Sequence, residues 1–460
     1  MPIIIEVRRQ WRNHAVVFWK NLCQYDPMNL PVDYSLRCEL NDEVHTHQYE
    51  KLVPPERVSF IVLLVGEEER ANEWRHLGAL CGMFGQTLPE QESKNLHLDM
   101  ELFRLKVERH QEFTRYTFVK QGQFDNPFSE PVTHHVPADW LAALPGKTLV
   151  AAHIGVMRGD PLDAPPPLAE IAAYFETDTL AGSRAGSSSS LVFTDFRIAK
   201  DGFSRFLVIA NSRLPTQNGR LLLRLLDVET YRMLALMALP EARRLIAKIP
   251  AMDAELTRIT GAISQGSEKN DEALLEDISQ FADRLEGLIS STYYRFAATR
   301  AYFGVVANRL AELRESPLEG IPTFGGFLNR RLEPARNTCE SAERWLDLLS
   351  NRISHASQLL RTRIDVRREA QNQDLLAAMN RRFHLQLRLQ QTVGRLTIAV
   401  FTYYSVSLIG YVADALEEHF HWSLDTTLIK AVSIPFVALI AYFLVGRKVR
   451  HALVNSEFLN

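Results

Sequence analysis

The stretch LTIAVFTYYSVSLIGYVA, residues Leu396–Ala413, contains 18 consecutive residues without a charge. A helix of this length spans roughly 27 Å, close to the hydrocarbon thickness of a bilayer. A second apolar stretch, LIKAVSIPFVALIAYFLVG at Leu428–Gly446, has one charge, Lys430, near its start. A lysine near a helix end can extend its ammonium group to the lipid headgroups. The two stretches therefore predict a transmembrane hairpin at residues 396–446.

Charges on either side of the two apolar stretches predict the orientation of the hairpin. The loop from Asp414 to Thr427 has four acidic residues and no Lys or Arg. Basic residues lie before the first stretch and after the second: Arg381, Arg382, Arg388, Arg395, Arg447, Lys448 and Arg450. The positive-inside rule then predicts an inner (plasma) membrane protein with both termini cytoplasmic. The alternative is a buried helical hairpin in the core of a soluble protein.

Composition and cysteine usage limit the remaining classes. The chain has 460 residues, enough for several domains, and a net charge of −3, which does not favour nucleic-acid binding. Its four cysteines form no C-x-x-C pair, so we expect neither a disulfide framework nor a zinc site built from cysteines. The first apolar run is too short for a signal peptide, and we assign residues 1–29 to an N-terminal extension.

Residues 30–215 have the pattern of an α+β domain. Val58–Val65 is a continuous apolar run typical of a central strand, and Glu101–Glu108 alternates with its charged residues outward. Gly182–Ser190, a run of small polar residues, predicts a loop. Other strands and helices follow in mixed order without a repeating βαβ pattern, which favours α+β over a doubly wound fold.

Residues 216–395 predict a long antiparallel helical stalk, followed by the hairpin and a basic cytosolic tail at residues 447–460. Within the apolar helix from Arg220 to Leu239 we expect two i, i+3 ion pairs, Arg224 with Asp227 and Glu229 with Arg232. Farther along, apolar residues recur at spacings of three and four: Ala342, Leu346, Leu349, Ile353, Ala356, Leu360 and Ile364. This pattern indicates either an intramolecular core or oligomerisation through the stalk.

Several segments together resemble a bacterial family catalogued as domain of unknown function 3422 and described as predicted membrane-anchored. They are Pro137–Gly146 (PADWLAALPG), Asn218–Leu239 (NGRLLLRLLDVETYRMLALMAL), Arg330–Thr338 (RRLEPARNT), Leu359–Arg363 (LLRTR), Leu385–Thr392 (LQLRLQQT) and the hairpin from Leu396. The likeness covers about residues 30–450. It implies membrane anchoring and brings no activity, substrate or catalytic residue.

The early signature of that family is Asn-Glu-Leu-His-Ala-Arg-Pro followed by Pro-x-Arg. The corresponding region here is Asn41–Gln48 (NDEVHTHQ), followed by Pro55-Glu56-Arg57. His45 is in place, whereas Thr46 and His47 replace Ala-Arg. On a strand, His45 and His47 would share a face, so this pair is the candidate metal site. The alternative is a polar loop before the Val58 strand.

Other clusters suggest weaker chemistry. Glu417, Glu418, His419 and His421 lie in the external loop, where several copies could gather cations at a pore mouth. The adjacent His134 and His135 would point apart on a strand. Gly146-Lys147-Thr148 lacks the first glycine of a P-loop, since Leu141 occupies that position. We assign no catalytic residue and expect no cofactor and no nucleic-acid partner.

Three functions follow from these patterns. The first is a non-enzymatic membrane-anchored scaffold, sensor or assembly factor, with the bilayer and unidentified proteins as partners. The second is an oligomeric divalent-cation transporter, because the order of elements looks like that of CorA-type magnesium transporters. The Gly-Met-Asn tripeptide of those proteins is absent, and Gly410-Tyr411-Val412 stands near its expected place. The third is a membrane-tethered metalloenzyme that uses His45 and His47.

Overall fold

The computed structural model describes most of the chain. The described residues are 34–37, 40–41, 50–89, 93–160, 165–177, 179–186, 190–211, 213–265, 271–420 and 425–457, with side chains described in these ranges except at 417–420, 426 and 445–457. The chain divides into two compact units, Met1–Gly261 with Ser279–Ile353 and Ala262–Ile278 with Ser354–Asn460.

A mixed sheet forms the centre of the N-terminal region, with the strand order β2-β3-β4-β1-β5-β8-β7-β6-β9. The strands are β1 Glu56–Leu64, β2 Asn95–Asp99, β3 Arg104–Arg109, β4 Phe113–Gln121, β5 Lys147–Arg158, β6 Ala181–Ala185, β7 Ser190–Ile198, β8 Ser204–Ala210 and β9 Ser316–Pro317. Among the described strands, β5 and β8 are the one parallel pair, and the other neighbours are antiparallel. The region is therefore α/β with mixed strand directions.

The C-terminal part is mostly helical. The helices are α1 Glu67–Met83, α2 Ala138–Ala142, α3 Leu168–Ala172, α4 Pro215–Leu236, α5 Leu239–Gln265, α6 Asp271–Glu312, α7 Phe324–Phe420 and α8 Thr426–Glu457, with a 3₁₀ turn at Val132–His135. α7 is continuous over 97 residues. It includes the whole of the first apolar stretch, Leu396–Ala413.

Both faces of the sheet are covered, as the apolar run at β1 predicts. Alternate β1 residues such as Phe60 and Val62 belong to a core that includes Leu222 and Leu226 of α4. The intervening residues, such as Ile61, belong to a second core that includes α1. A central strand buried on both sides accounts for the absence of polar alternation in this part of the sequence.

The charged side chains of β3 are an exception to the predicted pattern. Lys106 and Glu108 were expected to face outward, but both are buried, and their charged groups lie 2.8 Å apart. They share a face of the sheet with Arg115 of β4, which lies opposite Glu108 in the strand register. Because helices cover this face, charge alternation here marks buried ion pairs and not a solvated surface.

Asp227 of α4 joins a strand and a helix through two ion pairs. Its carboxylate accepts hydrogen bonds from Arg115 Nη1 at 2.7 Å and from Arg309 Nε of α6 at 2.8 Å. The predicted Arg224–Asp227 pair is therefore wrong: Arg224 pairs instead with Glu312 at 3.3 Å. Asp227 is buried and faces the sheet, so it does not form an ion pair along the surface of the helix. The predicted Glu229–Arg232 pair is present at 2.5 Å.

A strand replaces part of the loop predicted at Gly182–Ser190. β6 covers Ala181–Ala185 and pairs with β7 on one side and with β9 on the other. Small residues are required here, because a Cβ on Gly182 would come within 2.7 Å of the Phe193 and Ile321 side chains. The small residues that suggested a loop are therefore explained by close packing within the sheet.

In the first unit, the helices that follow the sheet are held together by ion pairs and an apolar seam. Arg352 of α7 donates to Asp253 and to Thr257 Oγ1 of α5, the latter at 3.3 Å, and Glu255 of α5 pairs with Arg284 of α6 at 2.6 Å. The predicted seam of α7 is buried in this unit at Ala342, Leu346, Leu349 and Ile353. Of the seam residues in the second unit, Ala356 and Leu360 are buried and Ile364 is half-buried.

The second unit contains the two apolar stretches. Within the described residues, two helices are long and apolar enough to cross a membrane, with mean hydropathies of 1.6 and 2.0 in their most apolar windows. Only 11% and 6% of these windows are buried. Core helices of soluble proteins are mostly buried, so these stretches lack the packing that the buried-hairpin alternative requires.

We predict that Asp227→Ala lowers the free energy of unfolding by about 3–5 kcal/mol, because it leaves the buried Arg115 charge without its partner. Chemical denaturation of the full-length protein in detergent measures this. The control is Glu241→Ala, which removes a solvent-exposed pair with Arg244 and is expected to cost about 1 kcal/mol or less. Equal losses in the two variants would contradict the structural role of Asp227.

Candidate functional site

The residues predicted to bind metal lie largely outside the described part of the chain. His45, His47 and His421 are not among the described residues, and the side chains of Glu417, Glu418 and His419 are not described, although α7 extends through their backbone. Among the described residues there is no group of three or more His, Cys, Asp or Glu side chains placed to hold a metal ion. The His45/His47 site stays a prediction.

The described chain resumes at Glu50, three residues after His47, and this point leads into a charged pocket. Arg104, the first residue of β3, binds two carboxylates: Glu50 Oε1 at 3.0 Å from Nη1 and Glu56 Oε1 at 2.8 Å from Nη2. His97 Nδ1 lies 3.7 Å from Glu50 Oε2. The segment after the His45/His47 motif therefore positions two glutamates around one guanidinium group.

The start of α4 holds this segment against the sheet. Leu52 N donates to Pro215 O at 3.1 Å, and Asn218 Nδ2 donates to Leu52 O at 3.4 Å. Gly219 lies so close that a Cβ there would be 1.7 Å from Glu50 O. Only glycine permits this approach. Asn218 and Gly219 open the Asn218–Leu239 segment, and they contact the residues that lie between the Asn41–Gln48 region and Pro55-Glu56-Arg57.

The Pro55-Glu56-Arg57 tripeptide uses the two faces of β1. Glu56 lies toward Arg104, and its Oε2 accepts a hydrogen bond from Val53 N at 3.0 Å. Arg57 Nη1 donates to Glu130 O at 2.6 Å, and the side chain is buried. Successive residues of a strand point to opposite faces, so this short motif fixes two separate contacts.

Burial raises the pKa of Glu56 to about 7, although Arg104 and the Val53 N–H act in the opposite direction. The neighbouring His97 side chain lowers the pKa of Glu50. The two carboxyl groups around Arg104 therefore differ in protonation near neutral pH, which is the property required of an acid–base pair or a proton-sensitive contact. The adjoining pocket holds about 150 Å³ and is lined by Glu50, His97, Asp99, Arg104, Lys106 and Thr117, among others.

A larger cleft of about 1180 Å³ lies on the face of the sheet that carries Ile61. Its lining includes both His134 and His135, so these residues share a cleft and do not point to opposite sides as a strand would require. The 3₁₀ turn at Val132–His135 causes this difference. His135 Nε2 lies 2.6 Å from Lys120 Nζ, and that ammonium group and burial lower the pKa of His135.

Beneath this cleft, His153 is a buried histidine with structural contacts. Its Nδ1 lies 3.0 Å from Ser59 Oγ, and its ring stacks on Phe203 with 3.9 Å between centroids. Burial lowers the pKa of His153 to about 4, so the ring is neutral at physiological pH. Ser59 is fully buried and cannot meet a substrate, so this serine–histidine contact stabilises the fold.

Two further sequence features have structural explanations. A strand, β5, starts at Lys147, and no helix follows the Gly146-Lys147-Thr148 turn as a P-loop requires. Cys339 is buried in α7, and burial raises the pKa of its thiol to about 11. A thiol in that state is not a nucleophile at neutral pH, as expected for a cysteine used in helix packing.

The comparison with protein families agrees with the resemblance seen in the sequence. The model of the family described as "Protein of unknown function (DUF3422)" matches residues 32–453. The chain belongs to this family. No curated protein and no solved structure matches the chain. The matched region includes the Glu50–Arg57 segment, the Asn218–Gly219 contact and both apolar helices.

We predict that Gly219→Ala lowers the free energy of unfolding by about 2 kcal/mol or more, because its Cβ would overlap the Glu50 carbonyl. Gly287→Ala is the control, since a Cβ on Gly287 in α6 meets nothing within 4 Å. That change is expected to stabilise the helix by up to about 1 kcal/mol. Opposite signs in a denaturation series support the contact, and a stabilising Gly219→Ala would contradict it.

The raised pKa of Glu56 predicts how stability depends on pH. The folded state holds this proton more tightly than the unfolded chain, so the contribution is present below pH 4.5 and is lost as pH rises to about 7. The shift corresponds to about 3 kcal/mol. We therefore expect the free energy of unfolding to fall about 3 kcal/mol less between pH 4.5 and 8 in Glu56→Gln than in the unmodified protein.

Denaturant titrations of the full-length protein in detergent, repeated across this pH range, measure the difference. Glu68→Gln removes an exposed glutamate of α1 and serves as the control for loss of a charge. A pH dependence in Glu56→Gln that equals that of the control would contradict the assignment of the proton to Glu56.

Proposed function

We propose that the chain is a non-enzymatic protein anchored in the inner membrane by α7 and α8, with its α/β region in the cytoplasm as a scaffold, sensor or assembly factor. The observation that carries this proposal is the exposure of the two apolar stretches. Apolar side chains point outward all along them, at Leu396, Val400, Phe401, Tyr403, Tyr404, Leu408, Val412, Leu428, Val432, Phe436, Leu439, Ile440 and Phe443. A bilayer accommodates such helices, and water does not.

The contact between the two apolar helices supports a hairpin. Lys430 of α8 lies across Gly410 of α7, where a Cβ would be 2.1 Å from Lys430 Cε. Its Nζ then donates to Asp414 Oδ2 at 3.1 Å. A glycine that allows close approach and an ion pair at the loop end of both helices are common devices for pairing membrane helices. This pair would lie at the membrane interface, where lysine was expected to reach.

The topology in the proposal follows from charge. The residues between the two helices are acidic, and the outer flanks are basic, so the positive-inside rule favours cytoplasmic termini. The exposed arginines of α7 before the first span would also meet anionic headgroups, at about 1 kcal/mol for each charge near the surface.

An ion-conducting oligomer is the second candidate. The unbroken α7 and the short connection to α8 favour it, as does a cavity of about 600 Å³ between the helices lined by Thr402, Tyr403, Ser407, Tyr411 and Lys430. The positive charge of Lys430 in this cavity repels cations. A cation path would therefore have to lie between copies of the chain. Cation flux through the purified protein in liposomes tests this function, and absence of flux contradicts it. The metalloenzyme alternative rests on His45 and His47 alone.

We predict that alkaline carbonate leaves the full-length protein in the membrane pellet. Arginine at the centre of a span costs about 2.5–3.5 kcal/mol, so Tyr404→Arg combined with Phe436→Arg is expected to move the protein to the soluble or aggregated fraction. The control combines Leu385→Arg with Leu389→Arg, which are also exposed on α7 but lie outside the apolar stretch. Release of the unmodified protein by carbonate would contradict membrane anchoring.

A further inference from the structure

A second pattern of apolar residues begins in α7 beyond the seam that is buried within the chain. Ten positions at alternating spacings of four and three form what we call the distal seam: Asn372, Leu376, Met379, Phe383, Gln386, Gln390, Val393, Thr397, Val400 and Tyr404. Six of these positions are apolar and four are polar, and together they keep the heptad spacing over more than four heptads. All ten side chains are exposed in the single chain.

Charges around the distal seam follow the same repeat. Asp374, Arg381, Arg388 and Arg395 are spaced seven residues apart. In the heptad set by the distal seam, all four fall on the outermost position, opposite the seam. No distal-seam position is charged. The fifth charged residue of this stretch, Arg382, falls beside the distal seam, on the position that borders the interface of a coiled coil. A helix solvated on all sides gives no reason for four of five charges to share one outer stripe, whereas a helix that packs along the distal seam does.

We infer that the distal seam binds a second copy of this chain, in parallel and in register; this rests on the proposed membrane anchoring. Copies inserted in one membrane with the same topology have α7 running in the same direction. The distal seam also continues from the stalk into the apolar stretch that starts at Leu396, so its occupant must pass from water into lipid at the same level. A second α7 meets this requirement by symmetry.

The polar members of the distal seam are self-complementary. Asn372, Gln386 and Gln390 each carry a donor and an acceptor, and so does the Thr397 hydroxyl. In a parallel pair, each would face its own copy and could form a hydrogen bond without burying a charge. Polar layers of this kind fix the register of parallel coiled coils. The outermost arginines of the two copies would point away from each other, which avoids repulsion.

The available area suits such an interface. The distal seam is roughly 50 Å long, and a contact stripe about 10 Å wide would bury on the order of 500 Å² per chain. The pair would then bury about 1,000 Å², the lower limit expected of a specific interface. A spacing of 3.5 residues per turn predicts a left-handed supercoil.

Photo-crosslinking in native membranes tests the inference with a matched pair of positions. The photoreactive residue p-benzoylphenylalanine replaces Phe383, on the distal seam, or Leu385, two residues away on the outer side; their exposed fractions are 56% and 65%. We expect a product of twice the single-chain mass, containing only this chain, from Phe383 and none from Leu385. Equal products from both positions, a product with a different protein alone, or no product would overturn the inference.

The carbonate-resistant pellet is used for all samples, so the two proposals fail separately. Protein absent from the pellet contradicts the anchoring, whereas protein present in the pellet without a crosslink from Phe383 contradicts the distal seam. As a second measurement, Phe383→Glu is expected to reduce the protein mass in mild detergent to that of one chain, and Leu385→Glu is expected to leave the oligomer intact. The same oligomer in both variants would also overturn the inference.

Discussion

The constraint on which the rest of this structure depends is that the apolar side chains of α7 and α8 cannot remain in water. Burying one Leu or Phe side chain contributes about 1.5–3 kcal/mol, so nine or so exposed side chains on each helix represent on the order of 10 kcal/mol or more. That is comparable to the whole stability of a typical domain. A bilayer would remove this cost, and a helix is one of the backbone structures that can cross a bilayer.

In the first unit the main constraint is different: charged side chains are buried between the sheet and the helices that cover it. Asp227 offsets two arginines, Arg115 of β4 and Arg309 of α6, so one carboxylate ties the sheet to two helices. Arg115 also lies over the rings of Phe113 and Tyr231, which accommodate its remaining surface. Near the start of α4, the absence of a side chain at Gly219 leaves room for the Glu50 backbone. Helix α4 is therefore the element that places the Glu50–Arg57 segment against Arg104.

Much of this architecture is predictable from periodicity. The apolar run of β1, the helical part that follows the sheet and the two apolar helices all follow from local pattern. The failures have a common physical cause, which is contact between residues distant in sequence. Gly182 belongs to a strand because Ile321 and Phe193 pack against it, and Asp227 bonds with Arg115 and Arg309 instead of the nearby Arg224. Local spacing does not report such partners.

The pocket around Arg104 was also missed, for the same reason. Glu50, Glu56 and His97 come from different segments, and no single motif unites them. One signal did exist: Pro55-Glu56-Arg57, which matches the family's early signature, contains one of the two glutamates that bind Arg104.

The most direct test of membrane anchoring is the accessibility of the residues between α7 and α8. Asp425→Cys and, separately, Gln373→Cys are treated in intact cells with a membrane-impermeant maleimide, with the unmodified protein as background. If both helices cross the membrane with the termini inside, Asp425→Cys is labelled in intact cells and Gln373→Cys only after lysis. Labelling of Gln373→Cys in intact cells, or protection of Asp425→Cys until lysis, would contradict the proposed anchor and its orientation.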